Sequence, residues 1–120
     1  TMTAGTIVLS GNAAAVEFDI PTTPLYGVNP VKTVGAVQVL RMGNAQVDGT
    51  LKYIGSSNDR DPILVRVGGT TPNNTSAGYF LEDANMNGVV QYIGSGNDRD
   101  PILVNVGSTV PNSTVTEQLP

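Results

Sequence analysis

The chain has 120 residues, enough for one small domain or two minimal ones, and a formal net charge of −4. It lacks the clustered Lys and Arg that binding to a phosphate backbone requires, so we expect no nucleic-acid partner. Cysteine, histidine and tryptophan are absent, which excludes disulfides, thiolate or imidazole catalysis and the usual zinc sites. No apolar run approaches the ~20 residues that span a bilayer, so we expect no membrane insertion.

The N-terminal third of the chain predicts β-strands. The segments Thr3 to Ser10 and Ala14 to Ile20 are rich in β-branched or alternating apolar residues and are separated by a turn signal at Gly11-Asn12. A third strand is predicted from Gly35 to Met42, after a loop rich in Pro and Gly. The chain opens at Thr1 without a signal peptide, and we expect a processed product or a part of a longer protein.

Three strands form an open sheet whose edges can pair with another strand. Two interpretations follow. In the first, the sheet packs against the remainder of the same chain. In the second, a strand from a neighbouring copy completes it, which would make the protein a subunit of a homo-oligomeric filament. The Ala-rich, nearly uncharged residues 1–15 suit a donated or an accepting strand.

The rest of the chain contains an internal repeat. The segment Tyr53 to Val65 (YIGSSNDRDPILV) returns almost unchanged as Tyr92 to Val104, 39 residues later. A period of this size indicates a repeated supersecondary unit. We predict an N-terminal β segment over residues 1–42, followed by two repeats over residues 43–81 and 82–120.

Each repeat predicts a short strand, a loop and a brief helix. The predicted strands are Thr50 to Ile54 and Val89 to Ile93. The helices are predicted to begin at Asp61-Pro62 and Asp100-Pro101, an N-cap Asp followed by Pro, and to stop at Gly68 and Gly107. The residues from Thr114 to Pro120 are interpreted as a loose end.

Oxygen-bearing side chains alternate just before the second copy, from Asp83 to Val89 (DANMNGV). An EF-type loop takes Ca²⁺ ligands from positions 1, 3 and 5, the carbonyl of position 7 and a carboxylate at position 12, with Gly at position 6. The corresponding ligands here are Asp83, Asn85, Asn87 and the carbonyl of Val89. Position 12 is a glycine, so the closing carboxylate is expected from Asp98.

The first repeat offers a matching set: Asn44, Gln46, Asp48, the carbonyl of Thr50, and Asp59. Asn44 and Gln46 are neutral and therefore weaker ligands, so we expect this loop to bind calcium less tightly or to be purely structural. The alternative is that both runs are ordinary turns followed by helix caps. Two copies in register favour calcium. We also expect the strands that follow the two half-loops to pair with each other across a pseudo-twofold axis.

Three further features recur in both copies. Arg60 and Arg99 each lie between two acids, which favours a neutralising ion pair over ligand recognition. Tyr53 and Tyr92 are interpreted as aromatic residues of the repeat core rather than as a sugar-stacking platform.

Asn73 and Asn112 open N-x-Ser/Thr acceptor sequences, which are either glycosylation sites or chance matches. The acids are better explained as calcium ligands and caps than as a catalytic pair, so we expect no enzymatic activity.

The run from Asp83 to Leu103 resembles the dockerin-like calcium repeats at the C-termini of large secreted and surface proteins of Bacteroidota. The closing Thr116 to Pro120 (TEQLP) is similar to the end of such chains, and Met2 to Arg41 looks like the β segment that precedes the repeats. The resemblance implies an extracellular or cell-surface location, paired calcium sites, and a role in attachment or assembly.

We therefore predict a mostly β protein with short helices (α+β), in which a small N-terminal β-sheet is joined to a two-repeat, EF-hand-like or dockerin-like calcium module. The expected function is that of a calcium-stabilised extracellular structural protein, whose copies assemble into a surface fibril or matrix by strand complementation. A docking module that binds a separate surface receptor is the alternative, and a carbohydrate-binding module is a third.

Overall fold

The computed structural model describes residues 3–8, 11 and 15–116. Its elements are β1 (Val31–Val34), β2 (Val37–Leu40), β3 (Thr50–Lys52), α1 (Arg60–Arg66), β4 (Thr75–Ala77), β5 (Val89–Gln91), α2 (Arg99–Val106) and β6 (Thr114–Thr116). Short strands with two short helices confirm the mostly β, α+β class. Contacts divide the described residues into an N-terminal unit that ends at Arg41 and a repeat unit, Met42–Thr116.

The N-terminal unit contains one antiparallel hairpin. Strands β1 and β2 pair from Val31 opposite Leu40 to Val34 opposite Val37. The two-residue turn between them begins at Gly35, whose φ of +62° is typical of the tight turns that join twisted strands. Strand β2 confirms the centre of the strand predicted from Gly35 to Met42, whereas β1 was missed.

The other two strands predicted for this unit are wrong over the described residues. Residues 3–8 and 15–20 form no strand, and a single bridge joins Thr3 to Leu25. Residues 9, 10 and 14 of those predictions, and Asn12 of the predicted turn, lie outside the described residues. None of the described residues of this unit is buried. The strand prediction assumed that the alternating apolar residues up to Ile20 face a core. The described residues of this unit provide no such core.

The repeat unit is built from two sheets that each join both repeats. Strand β3 pairs with β6, and β4 pairs with β5, all antiparallel. Leu51 lies opposite Val115 and, at the equivalent repeat positions, Val90 lies opposite Ser76. The expected pairing of β3 with β5 is wrong. The predicted loose end is wrong over residues 114–116, which form β6, and residues 117–120 lie outside the described residues. Each strand instead pairs with the tail of the other repeat.

The two helices end where the glycines predict but begin two residues earlier than predicted. Their N-caps are Asp59 and Asp98, not Asp61 and Asp100. Pro is therefore the third helical residue in each, where its missing N–H has no intrahelical partner to lose. The helices end as predicted at Gly68 and Gly107, whose φ values are +117° and +125°.

The repeats share one hydrophobic core, to which each contributes three equivalent buried residues. This shared core consists of Leu51, Ile63 and Val67 from the first repeat and Val90, Ile102 and Val106 from the second. Helix α2 contacts β3, and α1 contacts β5, so each helix covers the strand of the other repeat. Tyr53 and Tyr92 pack against this core, which confirms their predicted role. Neither repeat buries its apolar face alone.

Candidate metal centre

Loop 2, residues 83–98, is folded by its own oxygen side chains. The carboxylate of Asp83 accepts the backbone N–H of Asn87 on Oδ1 (3.0 Å) and that of Gly88 on Oδ2 (2.8 Å). Asn85 Oδ1 also accepts the Asn87 N–H (3.0 Å), and Asn87 Oδ1 accepts the N–H of Val89 (2.8 Å). The bonds of Asn85 and Asn87 span two residues and are Asx turns, while those of Asp83 span four and five residues and draw the chain around its carboxylate.

Asp98 closes loop 2 from the far side. It is fully buried, and it accepts the N–H of Asn85 on Oδ1 (3.2 Å) and the N–H of Gln91 on Oδ2 (2.7 Å). Although Asp98 is the N-cap residue of α2, its side chain makes no capping bond there. The carboxylate therefore stabilises the loop and does not cap the helix. Its charge lies close enough to Asp83 for the two to repel.

Loop 1, residues 44–59, repeats the same closure. Asp59 is fully buried and accepts the N–H of Gln46 (3.1 Å) and of Lys52 (2.7 Å). Asp48 Oδ1 accepts the N–H of Thr50 (2.9 Å), as Asn87 does for Val89 in loop 2. Both predicted late carboxylates are thus brought to their half-loops.

Val89 and Thr50, expected to contribute carbonyl oxygens, are the first residues of β5 and β3. Among the described residues, no group of three or more Asp, Glu, His or Cys is placed to share a metal ion. Each loop supplies two carboxylates, and any further ligands would be amide and carbonyl oxygens, which calcium accepts.

Burial raises the pKa of Asp59 and of Asp98 above the ordinary value of 3.8. The backbone N–H donors oppose this shift, and the neighbouring carboxylates of Asp48 and Asp83 add to it by repulsion. Two carboxylates held together in a desolvated loop disfavour the charged state, and a bound cation would reverse that preference.

With calcium chelated, these raised pKa values should make the protein less stable as the pH rises. The folded state binds more protons than the unfolded chain between pH 3.8 and the raised folded values. Each contribution is therefore complete below 3.8 and is lost as the pH rises through the folded pKa. With calcium bound, stability should instead fall on acidification, because protons compete for the carboxylates.

The measurement is urea unfolding across this pH range for the natural chain and for Asp98→Asn, whose side chain does not titrate. The difference between the two curves of unfolding free energy against pH gives the contribution of Asp98 titration. A difference that grows in favour of the natural chain as the pH rises in chelator would contradict the expected sign.

An asparagine before each late aspartate was missed by the sequence analysis. Asn97 is buried, and its Nδ2 donates to the carbonyl of Gly94 (2.7 Å) and to Asp100 Oδ2 (2.9 Å). Its Oδ1 accepts the Asp100 N–H (2.9 Å), and Asn58 does the same for Asp61 in loop 1 (3.0 Å). This side chain ties the loop to the first helical turn, and its recurrence in both repeats was the available signal.

The arginines beside the two loops stack on the repeat tyrosines. The guanidinium of Arg60 lies 5.2 Å from the ring centroid of Tyr53, and Arg99 lies at the same distance from Tyr92. The expected ion pair is found only at Arg99, whose Nε lies 3.9 Å from Asp100 Oδ1. For Arg60 the expectation is wrong within the described residues, since its guanidinium faces a ring instead of a carboxylate.

Asn73 and Asn112 are exposed and precede β4 and β6 closely, so both are accessible to a glycosylating enzyme, and glycosylation stays a prediction. Within the described ranges, no helix has the length and apolar character to cross a membrane. No family model matches the chain, and neither the curated proteins nor the solved structures contain a match.

Proposed function

We propose that this protein is a calcium-stabilised structural subunit that assembles with copies of itself, outside the cell, into a fibril or matrix. The observation that carries the proposal is the contrast between the two units. Every residue of the shared core lies in the repeat unit, while no described residue of the N-terminal unit is buried. The repeat unit has its own core and could fold around metal, whereas the N-terminal unit would gain a core by associating with a second copy of the chain.

Support for calcium comes from the two loops. In each, a buried aspartate closes a run of alternating oxygen side chains, and a second carboxylate lies nearby. A cation between the carboxylates would relieve their repulsion. Binding to the folded state alone would add on the order of 3 kcal/mol per site at a hundredfold excess over Kd.

Support for assembly comes from the N-terminal unit. The hairpin exposes apolar side chains, among them Val34, Val37 and Leu40. Beside it, a groove of about 580 Å³ lies between residues 3–7 and 15–24. Ile7, Val16 and Ile20 line this groove together with threonines and Glu17. A strand from a second copy laid there would cover these side chains and supply backbone partners.

The calcium affinity expected for these loops supports an extracellular site of action. Loops with neutral ligands at several positions belong to the weaker end of the calcium range, where extracellular modules with Kd values of about 10⁻⁴–10⁻³ M are found. Such sites fill at the calcium levels outside cells. A chain without cysteine would gain from metal the cross-linking that disulfides give other secreted proteins.

The test is electron microscopy and sedimentation of the purified chain in millimolar calcium and after chelation. We expect filaments in calcium that dissolve in chelator. Ile7→Lys, in the groove, should prevent filaments yet leave the calcium-dependent rise in melting temperature intact. Val110→Lys is the matched control, because Val110 is also an exposed apolar residue (52% against 40% for Ile7) but belongs to the repeat unit. Dispersed monomers of the natural chain in both conditions would exclude self-assembly.

A docking module for a separate surface receptor is the second candidate. The end of the first repeat exposes Tyr79 and Leu81, and loop 2 exposes Met86, with 78%, 70% and 75% of their surfaces accessible. Apolar side chains displayed in this way suit a protein partner. Monomers that recover one receptor from surface extracts only in calcium would favour this candidate. A carbohydrate-binding role gains less, because guanidinium groups already cover the tyrosine rings.

A further inference from the structure

We infer that loop 2 fills with calcium before loop 1, and that the amide of Asn44 holds loop 1 back. The inference rests on the proposed calcium function and deepens it by assigning the difference between the sites to one position. Both loops carry two carboxylates, Asp48 and Asp59 in loop 1 and Asp83 and Asp98 in loop 2. Formal charge therefore does not distinguish them, and the placement of the groups does.

The two loops differ most at their first position. In loop 2 both oxygens of Asp83 accept backbone N–H groups, one from Asn87 and one from Gly88. In loop 1 Asn44 Oδ1 accepts a long bond from the Asp48 N–H (3.4 Å), while Nδ2 is buried with no hydrogen-bond partner. A donor thus stands at the place where loop 2 has a second acceptor.

Rotating the amide does not remove this mismatch. In loop 2 the N–H groups of Asn87 and Gly88 both bond to position 83. The equivalent residues of loop 1 are Asp48, whose N–H bonds to Asn44, and Gly49. An amide has one oxygen, whereas a carboxylate has two. If the Gly49 N–H points at Asn44 as that of Gly88 does at Asp83, either orientation of the amide leaves one N–H facing another donor. A buried donor without an acceptor, as Nδ2 is here, destabilises the folded loop.

The second carboxylate of loop 1 is also less well placed. Asp83 is 5% exposed, whereas Asp48 is exposed to solvent and is fixed by its bond to Thr50. Calcium affinity depends on the rigidity of the loop as well as on ligand charge. Loop 2 holds both of its carboxylates buried in the loop, whereas in loop 1 the exposed Asp48 must move before it can bind a cation together with Asp59. The module would therefore respond to two calcium concentrations, the lower filling loop 2 and the higher filling loop 1.

The test exchanges the two patterns at constant net charge. Asn44→Asp/Asp48→Asn gives loop 1 the carboxylate positions of loop 2, and Asp83→Asn/Asn87→Asp gives loop 2 those of loop 1. Calcium titration by calorimetry on the full chain should resolve two unequal constants for the natural sequence. The first exchange should tighten the weaker constant about tenfold, and the second should weaken the tighter constant by about the same factor.

Circular dichroism in chelator and in calcium checks that each variant folds. If the first exchange variant does not fold, the affinity of the second exchange variant decides the question. Equal constants in the natural chain, or a weaker constant that the first exchange leaves unchanged, would overturn the assignment to Asn44 while calcium binding stands. Absence of calcium binding by the natural chain would instead overturn the proposed function.

Discussion

Asp98→Ala should remove most of the calcium-dependent stability and should destabilise the protein even in chelator. The substitution deletes the closing carboxylate of loop 2, and with it a stabilisation on the order of 3 kcal/mol at a hundredfold excess of calcium over Kd. It also leaves the N–H groups of Asn85 and Gln91 without their acceptor. Each such loss costs about 1–3 kcal/mol. Asp59→Ala should remove less of the calcium dependence, because loop 1 is the weaker site.

Thermal and urea unfolding in calcium and in chelator measure both effects. Asp98→Asn separates them, because it keeps an oxygen acceptor but removes the charge that calcium requires. Asp19→Ala serves as the control for a carboxylate on the surface of the other unit. An Asp98→Ala protein whose melting temperature still rises with calcium as much as that of the natural chain would refute the role assigned to this residue.

Ile102→Ala should be nearly as damaging, because the shared core has six buried members among the described residues. Ile102 is fully buried on α2, and that helix packs on β3 of the other repeat. Truncating a buried Ile to Ala costs about 2–5 kcal/mol, against a total of about 5–15 kcal/mol for a typical domain. Since both repeats surround this residue, we expect both loops to lose calcium affinity together.

Urea unfolding gives the size of the loss, and Ile102→Val should give a graded one of about 0.5–1.5 kcal/mol. Val104→Ala is the matched control two residues along the same helix, where the side chain is 51% exposed and little should change. If Ile102→Ala unfolds at the same urea concentration as Val104→Ala, the core has been wrongly placed. Loss of affinity in one loop alone would show that the repeats are not coupled through it.

Local hydrogen bonding explains why the loops and helix ends were predictable from the sequence. The bonds within the half-loop of loop 2 join residues two to five positions apart, such as Asp83 to Gly88 and Asn87 to Val89, and its closure by Asp98 spans 7 and 13 positions. Such bonds depend on residue type and spacing, both of which the sequence shows directly. Glycines at the helix ends act in the same local way, because their positive φ stops a helix whatever surrounds it.

The helix starts were misplaced because the sequence analysis overlooked the asparagine that lies three residues before each predicted cap. Asp61 and Asp100 have the residue type and the following Pro that predict an N-cap. The buried Asn58 and Asn97 instead bind these two carboxylates, and each helix begins two residues upstream of the predicted start. Whether Asn58 and Asn97 would be buried depends on the core beneath them, which the local pattern does not contain.

By itself, the sequence determined the repeat, its period, the oxygen-lined half-loops with their late carboxylates, and the apolar residues available for a core. Only the tertiary structure decided how the strands pair. Because each repeat ends in an equivalent strand, β4 or β6, β3 has a candidate partner in both copies. It pairs with β6, where Val115 packs with Leu51 against the shared core. The tertiary structure also decided that the alternating N-terminal residues form fewer strands than predicted. An alternating sequence forms a strand where its apolar face is buried against other side chains. No described residue of the N-terminal unit is buried, so this stabilisation is missing there.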